Sequence, residues 1–343
     1  KTVLGHPSGF FVLFFTEMWE RFSYYGMRAL LVLFLVSTLI DGGWEWERAD
    51  ALVLYGWYTG LVYLTPIIGG FIADKFMGYR KAVILGAFIM TLGHASMALE
   101  GLTSIFFYAG LTFLIVGNGL FKPNISSMVG QLYKSQGKEK DAGYTIFYMG
   151  INAGAFLGIL LCGYIGENVS WHYGFGLAGI FMFFGMLQFY FSQKIFGKIG
   201  LTPVKVGDFE DVIEDSVEKI EEDIEEIVKG VENSKVVRDR MIVIGILSLF
   251  VVFFWWAFEQ AGGSMTIFAA DYTDRALEGS AATSFKIINT IITVIPMLVI
   301  TWVLAMLFKQ TYSKYSLANI ILGLSFVIIW GIVIWMLYRE FQS

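Results

Sequence analysis

The sequence predicts an all-α polytopic membrane protein, and three observations carry that expectation. Of 343 residues, 56% are hydrophobic and 15% charged, the mean hydropathy is +0.65, and the apolar residues fall in runs of about 20 or more, enough to cross ~30 Å of hydrocarbon as a helix. A soluble domain runs at roughly 25% charged residues, so this much apolar surface needs lipid around it. Windows bounded by charge or by Gly/Pro clusters give nine spans: 10–38, 50–73, 81–99, 103–132, 143–165, 173–195, 241–270, 284–308 and 317–338. Lys75, Arg80 and Lys81 follow the second span and Lys134, Lys138 and Lys140 the fourth, whereas the loops after spans one, three and five hold only Arg48. The positive-inside rule therefore puts the N-terminus in the cytoplasm. The first apolar span is too long and too charged for a cleavable signal peptide.

Between spans six and seven the composition inverts. Residues 206–226 hold eleven acids and one base, Lys219, and 206–231 carry a charge of −9 against −5 for the whole chain. The acidic balance describes this linker rather than any ligand. Its apolar positions Ile213, Val217, Ile220, Ile224, Ile227 and Val231 are spaced four, three, four, three and four apart, the seam of an amphipathic helix. Either a solvated spacer or a docking helix on the cytoplasmic side answers to that pattern. The chain thus divides into 1–200, a bundle of six spans; 201–240, the acidic linker; and 241–343, three further spans.

Several chemistries are excluded early. His6, His94 and His172 are far apart and Cys162 is the only cysteine, so neither a metal cluster nor a disulfide framework is expected. There is no Walker A sequence, no G-x-S-x-G and no H-E-x-x-H. No nucleophile–base pair marks an enzyme, nothing marks a nucleic-acid binder, and no cofactor is called for.

What stands out is charge inside the spans. Glu17, Glu20, Arg21, Tyr24 and Arg28 fall within one arc of about 100° on span one. A charge at that depth costs ~2.5 kcal/mol or more and normally faces a watery cavity or a partner. Glu17 and Glu20 pairing with Arg21 as a helix clamp is the alternative. Span four holds Lys122 in Gly117-Asn118-Gly119-Leu120-Phe121-Lys122-Pro123-Asn124, with no acid nearby in sequence, so its partner comes from another helix unless it snorkels to the interface. Tyr144, Tyr148 and Asn152 share a face of span five, as packing groups or as ligand contacts. Span seven adds Trp255, Glu259 and Asp271; the rise along continuous helices brings Asp271 to the depth of Arg28, which suggests an outer gate pair.

These residues carry a resemblance. Glu17-Met18-Trp19-Glu20-Arg21-Phe22-Ser23-Tyr24-Tyr25-Gly26 is similar to the E-x-x-E-R-F-x-Y-Y signature of the proton-dependent oligopeptide transporter family. Gly69 to Lys81 resembles the loop signature of the major facilitator superfamily, Phe147 to Gly154 the family's F-Y-x-x-I-N-x-G, and Phe121-Lys122-Pro123-Asn124 its fourth helix. The resemblance is dense over 5–195 and thinner beyond. It implies the major facilitator fold, with a six-helix N-terminal bundle and a partial C-terminal bundle of three helices in this chain; three further helices are expected to be lacking.

The resemblance also implies symport of di- and tripeptides with protons, by alternating access across the cell membrane. Arg21 and Lys122 would receive the peptide carboxylate; Tyr24, Tyr25 and Tyr63 would line the pocket; Asn152 would hold the backbone or amino end; Trp255, Glu259 and Asn289 would complete it. Glu17, Glu20 and Lys122 would couple protons, and Arg28 with Asp271 would form the gate. Thr290 replaces the proline usual after Asn289, and Gly56 follows Tyr55 where animal relatives have histidine, so coupling would fall to the carboxylates and Lys122. Two alternatives stay open: a symporter of the same fold for nitrate or a small organic anion, and a transporter-shaped receptor acting through the linker.

Overall fold

The computed structural model describes residues 2–133, 137–201, 234–274 and 276–342. The amphipathic linker pattern of 213–231 lies outside the described residues. An antiparallel pair, β1 (Thr2–Val3) and β2 (His6–Pro7), turns through Leu4 and Gly5 and leads into α1 (Ser8–Val36). Helices α2 (Arg48–Ile72), α3 (Tyr79–Met97), α4 (Ser104–Gln131), α5 (Lys138–Asn168) and α6 (Trp171–Ser192) follow. Beyond the linker come α7 (Ser234–Glu259), α8 (Ser264–Tyr272), α9 (Gly279–Thr311) and α10 (Ser316–Gln342).

The chain forms two compact units: Lys1–Thr202 with Ile267–Ser343, and Pro203–Thr266. In the second, the described residues are α7, the 3-10 turn Gln260–Gly262 and the start of α8.

Within the first unit α1 is the central post. Phe10, Phe11, Phe15, Met18, Trp19 and Phe22 are fully buried, and α5 and α6 flank α1. The fit to α5 depends on small residues: a Cβ on Gly154 or Gly158 would collide with the Met18 or Phe22 carbonyl of α1, so the two backbones touch where a side chain would hold them apart. Helix α3 packs between α4 and α6, α2 lies on α4, and α10 lies along α6 and α9. Phe326 of α10 presents an edge to Phe15 and Trp19 at 5.7 and 5.5 Å.

Seven of the described helices (α2 with its π-helical extension Ala73–Met77, α4, α5, α6, α7 with its 3-10 turn, α9 and α10) are long and apolar enough to cross a membrane. The other two expected spans, α1 and α3, form as long helices, but α1 carries four charges along its length and α3 holds Arg80, Lys81 and His94 in 19 residues. The first six spans match to within about three residues, apart from the earlier start of α5. Span seven does not form one helix. It breaks at Gln260–Gly263, where Gly262 and Gly263 follow one another and Gly263 leaves helical geometry.

The exit from α6 is clamped. Arg80 of α3 donates from Nε to the Ile199 carbonyl at 2.6 Å and from Nη2 to the Gly197 carbonyl at 2.7 Å; its backbone N–H reaches Gly200 O at 3.0 Å, and Gln131 Oε1 of α4 accepts the Gly200 N–H at 3.1 Å. Gly200 has φ +72°, and a Cβ there would press on Arg80 and Met128 at 3.1–3.3 Å, so the segment is shaped for glycine.

Candidate functional site

The arc on α1 becomes a buried ionic lattice. Glu17 and Glu20 are fully buried and Arg21 nearly so. Arg21 engages Glu20 through both ends of its guanidinium, Nε to one carboxylate oxygen and Nη2 to the other at 2.7 Å, while Nε also lies 3.4 Å from Glu17 Oε1. This fork-to-fork geometry is the strong form of the pair, since both bonds are charge-assisted and planar. Lys122 finds its partner on another helix, as its isolation in sequence required: its Nζ stands 2.6 Å from Glu17 Oε1. Asn118, one turn earlier on α4, donates to Glu20 Oε1 at 3.1 Å. The self-contained α1 clamp and the snorkelling lysine are both displaced by one lattice spanning α1 and α4, with Lys122 at its edge, 31% exposed.

Tyrosines sit over the cations. The Arg21 guanidinium lies 5.0 Å from the Tyr24 ring and 5.9 Å from Tyr25; Arg28 lies 6.0, 5.7 and 5.5 Å from Tyr24, Tyr25 and Tyr55 and donates from Nε to the Tyr55 hydroxyl at 2.7 Å. Arg21 and Arg28 thus both lie against tyrosine rings, an arrangement that cation–π attraction favours.

The other expected residues are more dispersed. Tyr63 of α2 and Asn152 of α5 are exposed, and Asn152 donates to the Tyr148 carbonyl of its own helix at 3.0 Å. Tyr144 and Tyr148 line a cavity of about 540 Å³ beside Ser126. Trp255 and Glu259 lie in α7, in the second unit. Asn289 donates to both carboxylate oxygens of Glu340, at 3.1 and 2.8 Å.

Of the expected gate pair, Arg28 and Asp271, each has another partner. Asp271 forms its ion pair with Arg48, at the N-terminus of α2, while Arg28 turns to Tyr55. The depth argument assumed one continuous helix up to Asp271, and the break at 260–263 removes that assumption.

Reading the sequence missed Asn118, Arg48 and Glu340. Asn118 carries a signal, four residues before Lys122 and so on its face of α4. Arg48 was the one basic residue in the otherwise uncharged-by-Lys/Arg loops of its side. Glu340, near the end of an apolar span, reads locally as an interfacial charge.

The family model "PTR2: POT family" matches residues 80–212. The peptide transporter YePEPT of Yersinia enterocolitica is 34% identical over an alignment 375 positions long, gaps included, which covers 94% of this chain and 72% of that one. A di-/tripeptide transporter of Lactococcus lactis subsp. cremoris is 42% identical over 207 residues, 59% of this chain and 41% of its own length. Among solved structures, that of a peptide transporter POT in complex with sulfate superposes with a TM-score of 0.63 at 30% identity, over 91% of this chain and 71% of that chain.

Proposed function

The chain belongs to the POT family, and we propose that it is a proton-coupled symporter importing di- and tripeptides by alternating access. With seven helices able to cross a membrane it is a multi-pass membrane protein. In our reading 1–200 is the N-terminal bundle, 241–343 belongs to the C-terminal one, and the N-terminus faces the cytoplasm of a cell membrane.

The observation that carries the proposal is the shared lattice of Glu17, Lys122, Glu20, Arg21 and Asn118. A peptide is a zwitterion whose carboxylate competes with Glu17 for Lys122 and with Glu20 for Arg21. A proton arriving on Glu17 removes the negative charge that holds Lys122, and the freed ammonium then accepts the peptide carboxylate in its place. Proton and peptide thus act on the same pair, and each shifts the balance of conformations by its differential affinity for them. Tyr24, Tyr25 and Tyr63 offer walls that tolerate varied side chains, and Asn152 adds a hydrogen-bonding group for the peptide. The proton is the only coupling species required, and the Arg48–Asp271 pair serves as the gate. The named functions of the relatives favour peptides over nitrate or a small organic anion.

The test is uptake of labelled dialanine into liposomes containing the protein, with an inward proton gradient and with free alanine and nitrate as competitors. Uptake abolished by an uncoupler and blocked by di- and tripeptides alone is expected. Uptake indifferent to the uncoupler, or competed by nitrate, overturns the reading.

A further inference from the structure

We propose that one water molecule is built into the junction of α1, α6, α9 and α10, held between Asn319 of α10 and Gln188 and Ser192 of α6. A cavity of about 10 Å³ lies there, lined by those three residues together with Val12 of α1 and Thr311 of α9. That is room for a single water and for nothing larger. Gln188 and Ser192 are one turn apart and so share a face of α6. All four polar side chains at the junction are 4% exposed or less, so a polar atom left over among them bears the full cost of desolvation.

The hydrogen bonds do not close with side chains alone. Thr311 Oγ1 has one hydrogen and two acceptors in reach, the Leu307 carbonyl at 2.8 Å and Asn319 Oδ1 at 3.0 Å. Thr16 Oγ1 is placed in the same way, between the Val12 carbonyl at 2.7 Å and Gln188 Oε1 at 3.3 Å. The shorter contact takes most of the hydrogen, which leaves Gln188 Oε1 short of a donor while its Nε2 donates to the Val12 carbonyl at 3.2 Å. Asn319 Nδ2 carries two hydrogens and meets no acceptor among the described residues. Turning this amide end for end would let Nδ2 donate to Thr311 Oγ1 and free the threonine hydrogen for Leu307, but Oδ1 would then be the atom left over.

Both orientations have the same remedy. A water accepts from Nδ2 in the one and donates to Oδ1 in the other, and its remaining hydrogen is available to Gln188 Oε1 or to Ser192 Oγ, which donates to the Gln188 carbonyl at 2.5 Å and keeps its lone pairs. These are the two to four polar partners that a buried water needs. An ammonium or a carboxylate is too large for the space and brings only donors or only acceptors. The water is thus a polar joint in the otherwise apolar contact of α6 with α10. It involves none of the five residues of the ionic lattice, so it stands whether or not the chain carries peptides.

The experiment is a density map of the full chain, fine enough to show ordered water, run beside thermal unfolding of wild type and Asn319→Leu in detergent. The map is expected to show a peak ~2.7–3.2 Å from one end of the Asn319 amide and from Gln188 Oε1 or Ser192 Oγ. Asn319→Leu, close in shape, displaces the water and withdraws the donor from α6; it is expected to lower the unfolding temperature by about 1–4 °C. A dry cavity predicts the reverse, a rise, because the substitution would then remove a buried polar atom that has no partner. No peak at this position in a map that shows other buried waters, or an Asn319→Leu variant as stable as the wild type or more so, overturns the proposal. The wild-type map decides the matter if Asn319→Leu does not fold.

Discussion

Lys122→Ala tests whether the lattice is one coupled object. The Lys122–Glu17 contact at 2.6 Å is worth a gross attraction of about 6 kcal/mol at an effective dielectric near 20, most of it offset by desolvation. Breaking a fully buried pair costs ~3–5 kcal/mol because one charge is stranded. Here Glu17 is wholly buried but Lys122 is 31% exposed, and Glu17 keeps Arg21 at 3.4 Å, a group already committed to Glu20. The expected loss is therefore about 2 kcal/mol, a fall of roughly 3 °C in unfolding temperature at ~2.1 cal/mol/K of unfolding entropy per residue. Glu17→Gln removes the stranded charge, so the double variant is expected to be less destabilised than the sum of the singles by about 1–2 kcal/mol. The assay is a double-mutant cycle of thermal unfolding in detergent, run beside uptake measurements on the same four proteins. Additive losses would refute the coupling and with it the claim that Lys122 and Glu17 answer to one proton.

The gate predicts that Arg48→Ala and Asp271→Ala alter uptake alike and that the double variant adds little, while unfolding temperatures barely move because both side chains are partly exposed, at 56% and 34%; exchanging the two charges should restore uptake. Gly158→Ala would drive a Cβ into the Phe22 carbonyl of α1, with the Phe22 carbonyl carbon at 2.9 Å, and is expected to cost about 3 kcal/mol or more, read as lost folded yield or a large drop in unfolding temperature. Between α3 and α4, burial raises the Glu100 carboxyl above the usual range, opposed in part by His172, whose Nδ1 lies 2.8 Å away. The folded state then holds a proton that the unfolded chain has released, so stability falls as pH rises from about 4.5 through the folded pKa; Glu100→Gln should flatten that slope in unfolding temperatures measured from pH 4 to 7.

The helices of the first bundle were legible because lipid imposes one rule over their whole length: twenty apolar residues, ended by charge or by Gly and Pro. The lattice on α1 was legible for the complementary reason, since four charges among phenylalanines cannot be scattered at random around a helix. That Lys122 needs a partner from another helix followed from sequence; that the partner is Glu17 did not, because the pairing depends on how α1 and α4 cross. That Asp271 pairs with Arg48 was not legible, because the break at Gln260–Gly263 interrupts the rise by which its depth was counted. Glu340 and Asn289 are 51 positions apart and meet through the packing of α9 and α10, a relation that no periodicity within either helix encodes.

The Arg80 clamp has a mechanical consequence. A tether fixed to a frayed helix end loses any pull in the fraying, whereas one fixed to a rigid post passes it on. Because the carbonyls of Gly197 and Ile199 and both backbone polar groups of Gly200 are gripped by α3 and α4, tension arriving along the chain after Leu201 is delivered to the ends of those two helices rather than unravelling α6. Helix α4 is the one that carries Lys122 and Asn118, so the segment at Gly200 is a handle joined directly to the helix that supplies two of the five residues of the ionic lattice.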